Sequence, residues 1–198
     1  MRRRADRQEL IDPELLLRAY GAGLFPMADA ATGSISWYSP DPRAILDLAD
    51  LKVSRSLARV LRRGTYGVTV DAAFERVMRS CQRPETWISE SIVQSYLRHH
   101  ERAHAHSIEC WAGDRLAGGL YGVCLGAAFF GESMFSHLPD ASKVALVHLV
   151  RRLAERGYEL LDVQFQSPHL ESLGAREIPR SEYLERLASA LENNRSFV

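Results

Sequence analysis

The sequence has almost no lysine: of its 25 basic residues all but Lys52 and Lys143 are arginine. It has only three cysteines, Cys81, Cys110 and Cys124, without C-x-x-C spacing. That excludes a disulfide framework and a cysteine zinc ribbon, and reads as reduced core thiols. No apolar run reaches the ~18 residues that a membrane span needs. No hydrophobic stretch follows the start Met1-Arg2-Arg3-Arg4-Ala5-Asp6, so no secretory leader is expected. Net charge is also absent, with 25 basic residues against 25 acidic ones. A uniformly basic nucleic-acid binder is thereby disfavoured, although a local patch is not. There is no internal repeat, no low-complexity linker, no P-loop, no G-x-G-x-x-G and no Gln/Arg-x-x-Gly-x-Gly/Ala pyrophosphate loop.

What is there is ordinary globular composition, 46% hydrophobic and 25% charged over 198 residues. That length suits one large domain, or one domain with a small lobe, and buries a core without metal or disulfide. Charge is uneven along the chain. Residues 1–100 carry 15 basic and 12 acidic residues, and the rest carry 10 and 13. The sharpest local excess is Lys52, Arg55, Arg59, Arg62 and Arg63, five cations with no acid among them.

The first forty residues are punctuated by Gly21, Gly23, Pro26, Gly33 and Pro40 and read as loop-rich. Asp12-Pro13-Glu14 opens a short helix, with Asp12 as N-cap. Ile35–Tyr38 and Arg43–Leu46 read as short strands on either side of a turn. The spacing of Val53, Leu57, Val60 and Leu61 predicts a helix over 54–63 with arginines on its other side. Asp71 is expected to cap a helix carrying Phe74, Val77, Met78 and Cys81. A further helix spans about 90–102. From His106 the pattern turns to strands, 107–111, 116–125 and 127–135, separated by Gly113-Asp114 and Gly126. A helix over 142–155 ends at Gly157. A buried strand over 160–164, a short one over 176–178 and a terminal helix over 181–191 follow. The pattern is a mixed α/β (α+β) domain from about residue 65 to the end, preceded by a small lobe.

His100-Glu101-Arg102-Ala103-His104 fits H-E-x-x-H letter for letter, which on a helix would set two imidazoles on a zinc. Its position at a helix end, among Arg98 and Arg102, favours a polar helix terminus with cationic histidine near the C-terminal dipole. Gly131-Glu132-Ser133-Met134-Phe135 lacks the second glycine of a nucleophile elbow, so a serine hydrolase is disfavoured. Glu132 itself stands inside an aromatic run, where a carboxylate is costly unless paired or functional. Asp162 and Gln164 place an acid and an amide two residues apart in a second apolar strand, hence on one face. Two polar insertions in two core strands point to a site. The acid-free stretch from Lys52 to Arg63 has uncompensated repulsion that an anionic partner would relieve.

Taken together, these residues resemble the leucyl/phenylalanyl-tRNA–protein transferase family over nearly the full chain. The matching motifs are Gly23-Leu24-Phe25-Pro26, Trp37-Tyr38-Ser39-Pro40-Asp41-Pro42-Arg43, Thr86-Trp87-Ile88 and His104-Ala105-His106-Ser107-Ile108-Glu109. They continue with Gly118-Gly119-Leu120-Tyr121-Gly122-Val123, Gly131-Glu132-Ser133-Met134-Phe135-Ser136, Ala141-Ser142-Lys143 and Ser172-Leu173-Gly174-Ala175. The resemblance implies a small N-terminal lobe with a basic helix over 1–64 and an N-acetyltransferase-like (GNAT-like) mixed-sheet domain over 65–198. It implies an aminoacyltransferase that takes Leu, Phe or at times Met from charged tRNA. The acceptor is the N-terminal Arg or Lys of a protein, which is thereby marked for degradation. No cofactor, metal or membrane is implied, and a cytoplasmic monomer is expected. A domain that uses tRNA instead of coenzyme A needs no pyrophosphate loop.

By the same resemblance Glu132 matches the family's key acid, Gln164 its catalytic amide, and Asp162 the acid that polarises that amide. An amide is a poor base, so Gln164 is read as positioning the attacking α-amine, with Glu132 attracting the acceptor's cationic end. Tyr96, Leu120, Phe129, Gly131, Met134, Leu146 and Leu161 match positions lining the aminoacyl side-chain pocket. Trp87 matches a residue beside the terminal adenosine. Met27 stands where many members carry an aromatic residue, a place that Trp37 or Tyr38 can take. Lys52, Arg55, Arg59, Arg62 and Arg63 match the basic helix that binds tRNA phosphates. Two rival readings are a zinc hydrolase using His100, Glu101 and His104, and an RNA-binding module without turnover.

Overall fold

The structure, a computed structural model, describes residues 10–83 and 86–198. The arginine-rich start, and with it the leader expectation, lies outside them. Helix α1 (Pro13–Gly21) begins as its sequence predicts. The Asp12 carboxylate accepts the Leu15 N–H at 3.0 Å, and Pro13 sits in the first turn, where an N–H has no helical partner. Strands β1 (Phe25–Ala28) and β2 (Ile35–Tyr38) pair antiparallel as a separate ribbon. Gly23 before it and Pro26 within it hide β1 from sequence reading. Pro26 is tolerated there because each strand of a two-stranded ribbon is an edge.

The remaining elements, in order, are β3 (Arg43–Ile45), α2 (Arg55–Arg62), β4 (Gly67–Val70), α3 (Phe74–Cys81), α4 (Glu90–Glu101), β5 (Ala105–Ala112) and β6 (Arg115–Leu125). They continue with β7 (Ala128–Ser136), α5 (Ala141–Glu155), β8 (Leu160–Gln164), α6 (Pro168–Ser172), β9 (Arg176–Ile178) and α7 (Arg180–Leu191). Seven strands form one mixed sheet in the order β4-β5-β6-β7-β8-β3-β9. β4 to β7 run antiparallel. The crossover through α5 then brings β8 in parallel to β7, as such connections do. This is the mixed α/β class expected. β3 pairs with both β8 and β9. Residues 43–45, on the lobe side of the expected division at 64, are therefore inside the larger sheet. A three-residue strand is too short to carry a periodicity that would have placed it.

The sheet separates two apolar layers. Leu16, Tyr20, Val77, Ile92, Tyr96, Tyr121, Phe130 and Tyr183 pack on one face, beneath α1, α3, α4 and α7. Leu57, Leu120, Phe129, Leu146, Val150, Leu153 and Leu161 pack on the other, under α5 and α2. Cys81, Cys110 and Cys124 are free and buried, as their spacing suggested. Among the described residues no helix is long and apolar enough to cross a membrane.

Asp71 does not cap α3. Its backbone is left-handed (φ 57°). Its carboxylate accepts the Ser107 N–H at 2.8 Å and meets His106 Nδ1 at 2.7 Å. The buried Glu109 instead accepts the N–H groups of Ala72 and Ala73 that lead into α3.

The H-E-x-x-H letters do not share a helical face. α4 stops at Glu101, and Ala103 turns left-handed (φ 57°). The His100 ring lies flat on Phe74, centroids 4.3 Å apart, with Nδ1 2.9 Å from the Ala105 carbonyl. His104 falls beyond the helix, with its ring 6.2 Å from that of His99.

Candidate functional site

The site begins with an irregularity between two strands. Tyr121 opposes Ser133 and Gly122 opposes Gly131, so Glu132 is an extra residue in β7 with no partner across the ladder. A bulge of this kind bends the strand and re-aims a side chain. Glycine is required opposite it. A Cβ on Gly122 would lie 2.3 Å from the Phe130 carbonyl oxygen and 2.4 Å from the Phe129 ring. Beyond the bulge the sheet opens. β7 and β8 pair only at Ala128–Leu160, Phe129–Leu161 and Phe130–Asp162. The next residues of β7, Gly131 to Ser136, and Leu161 and Val163 of β8 line a cavity of about 550 Å³. Leu120, Leu146, Leu149 and Leu170 add apolar wall, and Ser133, Ser136, Ser142 and Ser167 add hydroxyls. Its charged or titratable lining is Glu132, Arg83, His169 and the phenol of Tyr121. Burial and the charge of Lys143 hold the His169 imidazolium below its usual pKa.

Glu132 is held from three sides. Tyr20 donates its hydroxyl to Oε1 at 2.6 Å, Gln164 donates Nε2 to Oε1 at 2.8 Å, and Tyr96 donates to Oε2 at 3.2 Å. The Tyr20 and Tyr96 hydroxyls also touch each other. Burial pushes the Glu132 carboxyl up to about 7, further raised by Asp162 and partly opposed by the three donors. Burial and the neighbouring carboxylate keep both tyrosines protonated, well above the ordinary phenol range. The result is a carboxyl group poised between its two forms near neutral pH, at the wall of an apolar cavity. The buried hydroxyl of Tyr121 on the same wall has no hydrogen-bond partner among the described residues.

Asp162 and Gln164 lie together, but not in the relation the resemblance implied. The Asp162 carboxylate accepts the backbone N–H of Gln164 at 2.8 Å. It makes no bond to the Gln164 side-chain amide, which goes to Glu132. The strict alternation of a strand also fails here, because Gln164 has a left-handed backbone (φ 66°). Asp162 is otherwise occupied by Arg43, whose Nε and Nη2 reach Oδ1 and Oδ2 at 2.9 and 2.6 Å, and by the Tyr183 hydroxyl at 2.9 Å.

The other anticipated residues divide. Leu120, Gly131, Met134, Leu146 and Leu161 line the cavity. Phe129 and Tyr96 do not: Phe129 is sealed in the core against Phe197, and Tyr96 stands behind Glu132 as a donor. Trp37 and Trp87 are half-buried against the α1-side layer. The Trp87 carbonyl accepts the Ala28 N–H of β1. Tyr38 is exposed and stacks on Phe25, which in turn meets Phe165 edge-on, next to Gln164. None of these aromatics lines the cavity. Lys52, Arg55, Arg59, Arg62 and Arg63 are all exposed, and among the described residues none of them forms an ion pair. Among those residues no three His, Cys, Asp or Glu side chains are grouped as metal ligands.

Sequence reading misses Tyr20, Arg43 and Tyr183. Two are tyrosines on amphipathic helices, where an aromatic residue reads as core. Arg43 opens a short strand directly after a proline-rich turn, where a cation reads as solvated.

A family model described as leucyl/phenylalanyl-tRNA protein transferase matches residues 45–188, and one described as that family's N-terminal domain matches 9–41. A leucyl/phenylalanyl-tRNA–protein transferase of Rubrobacter xylanophilus is 59% identical over 189 residues, covering 94% of this chain and 98% of that protein. A protein of the same name from Anaeromyxobacter dehalogenans is 57% identical, covering 92% and 80%. One from Gloeobacter violaceus is 51% identical, covering 91% and 94%. Among solved structures, L-PGS from Bacillus licheniformis superposes with a TM-score of 0.44 at 12% identity, over 78% of this chain and 53% of that one.

Proposed function

The chain belongs to the leucyl/phenylalanyl-tRNA protein transferase family, and from that premise we propose that it moves Leu or Phe, and at times Met, from aminoacyl-tRNA to the N-terminal Arg or Lys of a protein. The reaction makes a peptide bond and breaks the ester to the terminal ribose. It runs in the cytoplasm, where charged tRNA is found, and needs no cofactor. The observation that carries this reading is the buried Glu132 carboxyl, held by two phenols and an amide beside an apolar cavity.

The aminoacyl side chain enters the cavity between β7 and β8, against Leu120, Met134, Leu146 and Leu161. The acceptor's α-ammonium approaches Glu132, whose raised pKa of about 7 lies close to the ~8 of an α-amino group. Proton transfer to Glu132 is thus nearly balanced, and leaves the neutral amine that attack requires. One N–H of the Gln164 amide is fixed on Glu132. Its second N–H and its carbonyl oxygen are left to orient the amine and the developing oxyanion. The amine attacks the ester carbonyl, the carbon–ribose oxygen bond breaks, and the ribose hydroxyl leaves with a proton. The lobe of residues 1–64 holds the tRNA with its basic helix and lends Tyr20 to Glu132, and residues 65–198 supply Glu132 and Gln164.

The deciding experiment is transfer of labelled leucine from leucyl-tRNA to a peptide beginning with Arg, beside one beginning with Ala, with and without chelator. Label on the Arg peptide alone, indifferent to chelator, is the expected result. Loss of transfer to the chelator would favour the zinc reading; tight tRNA binding without transfer would favour a binding module. Two further results follow from geometry. Replacing Arg55 and Arg59 by Ala weakens tRNA binding for all sequences and lowers the slope of log K against log salt by about one for each phosphate left unbound; an unchanged slope would place the acceptor stem elsewhere. Leu146→Trp fills the cavity and lowers kcat/KM by about tenfold or more for phenylalanyl transfer, with a smaller loss for leucyl. Equal losses would mean that the side chain is bound outside this cavity.

A further inference from the structure

Arg43 takes no part in the transfer steps, yet it is the largest fully buried side chain among the described residues. Its guanidinium is sandwiched between the rings of Phe25 and Tyr183, 4.7 and 4.5 Å from their centroids. Nη1 donates to the Gly23 carbonyl at 3.1 Å, and Nε and Nη2 form a fork on the two oxygens of Asp162. Asp162 Oδ1 therefore accepts two donors, Arg43 Nε and the Gln164 backbone N–H. Gln164 is the residue whose left-handed backbone turns its amide onto Glu132. A non-glycine residue keeps that conformation only where its surroundings over-determine it.

We propose that Arg43 is a positioning residue for the transfer reaction: by clamping both oxygens of Asp162 it fixes the carboxylate that holds the Gln164 backbone N–H, and so delivers the Gln164 amide to Glu132. The proposal rests on the transferase reading. It gives Asp162 a different task from polarising the amide, because the amide's own atoms are out of the carboxylate's bonding scheme. It also explains the choice of arginine in a chain position otherwise lined by rings. A planar fork fixes the plane of the carboxylate, and a lysine ammonium holds it only at a point.

The test compares leucyl transfer by the full-length wild type, Arg43→Lys, Asp162→Leu, and the pair-deleted Arg43→Met with Asp162→Leu. Arg43→Lys is expected to lower kcat about a hundredfold through misplacement of the amide, with KM for leucyl-tRNA within about threefold. In the same variant, hydrogen exchange at the Gln164 N–H accelerates about tenfold or more, while exchange at the mid-strand Val123 N–H does not change. The pair-deleted variant leaves no lone buried charge, so it melts cooperatively, yet it stays catalytically impaired. Adding Arg43→Met to Asp162→Leu costs nothing further in kcat, since Arg43 acts through Asp162. Where Asp162→Leu alone does not fold, Arg43→Lys and the pair-deleted variant carry the comparison. A cooperatively folded Arg43→Lys protein with wild-type kcat and unchanged Gln164 exchange would overturn the inference, as would a loss confined to KM. Absence of leucyl transfer in the wild type would instead overturn the transferase reading, and Gln164 exchange would still decide whether Arg43 sets that turn.

Discussion

Glu132→Gln is expected to lower kcat for leucyl transfer by about a hundredfold or more and to remove an ionisation near pH 7 from its pH profile. In the wild type, kcat is expected to rise with pH as Glu132 becomes the carboxylate that, in the proposed reaction, receives the ammonium proton. Glutamine keeps the shape and can still accept from Tyr20 and Gln164, but it takes up no proton. The same substitution has an opposite effect on stability. The folded pKa is raised from about 4.5 to about 7 by burial. The stability associated with this group is thus fully present below its unfolded value and is lost as pH rises through 7, by an amount on the order of 3 kcal/mol. The Gln variant lacks that loss. At pH 8 it should melt several degrees above the wild type, and at pH 4 the two should nearly coincide. Kinetic pH profiles and melting curves at both pH values check the pair of effects. A variant that retained the ionisation near 7 would assign it to another group.

Gly122→Ala is expected to destabilise the protein by about 3 kcal/mol, lowering Tm by roughly 10 °C. The added Cβ meets a backbone carbonyl oxygen at 2.3 Å and a buried aromatic ring at 2.4 Å. Neither is the free end of a flexible side chain. To accommodate it, β6 and β7 have to part at the bulge, which displaces Glu132 with them. The folded fraction should therefore lose activity as well as stability. Gly67→Ala, in β4 with nothing within 4 Å of the new carbon, is the control and should stay within about 0.5 kcal/mol of wild type. Equal stability of the two variants by thermal or urea melts would mean that the bulge relaxes without cost.

How legible these features are from sequence depends on whether a residue breaks its local pattern. Glu132 does: a carboxylate among phenylalanines announces itself, and the structure supplies the three donors that make it tolerable. The helix over 54–63 and the strands from His106 onward follow ordinary periodicities, and the structure has them within a residue or two. Asp162 and Gln164 are visible as polar insertions, but their relation is not. The alternation of side chains assumes extended backbone, and Gln164 departs from it. Asp71 shows the opposite error: its position before a helix suits a cap, while a neighbouring strand offers the Ser107 N–H and His106 instead. Arg43, Tyr20 and Tyr183 are silent, because each takes its meaning from partners distant in the chain.

That last property has a bearing on biosynthesis. The guanidinium of Arg43 gathers Gly23, Asp162 and Tyr183, so residues near both ends of the chain close one joint. A nascent polypeptide still waiting for α7 has its Gly23, Arg43 and Asp162 made, but lacks the Tyr183 ring and hydroxyl that complete the clasp. The joint that holds the Gln164 turn is therefore among the last parts of the fold to be completed as the chain is made.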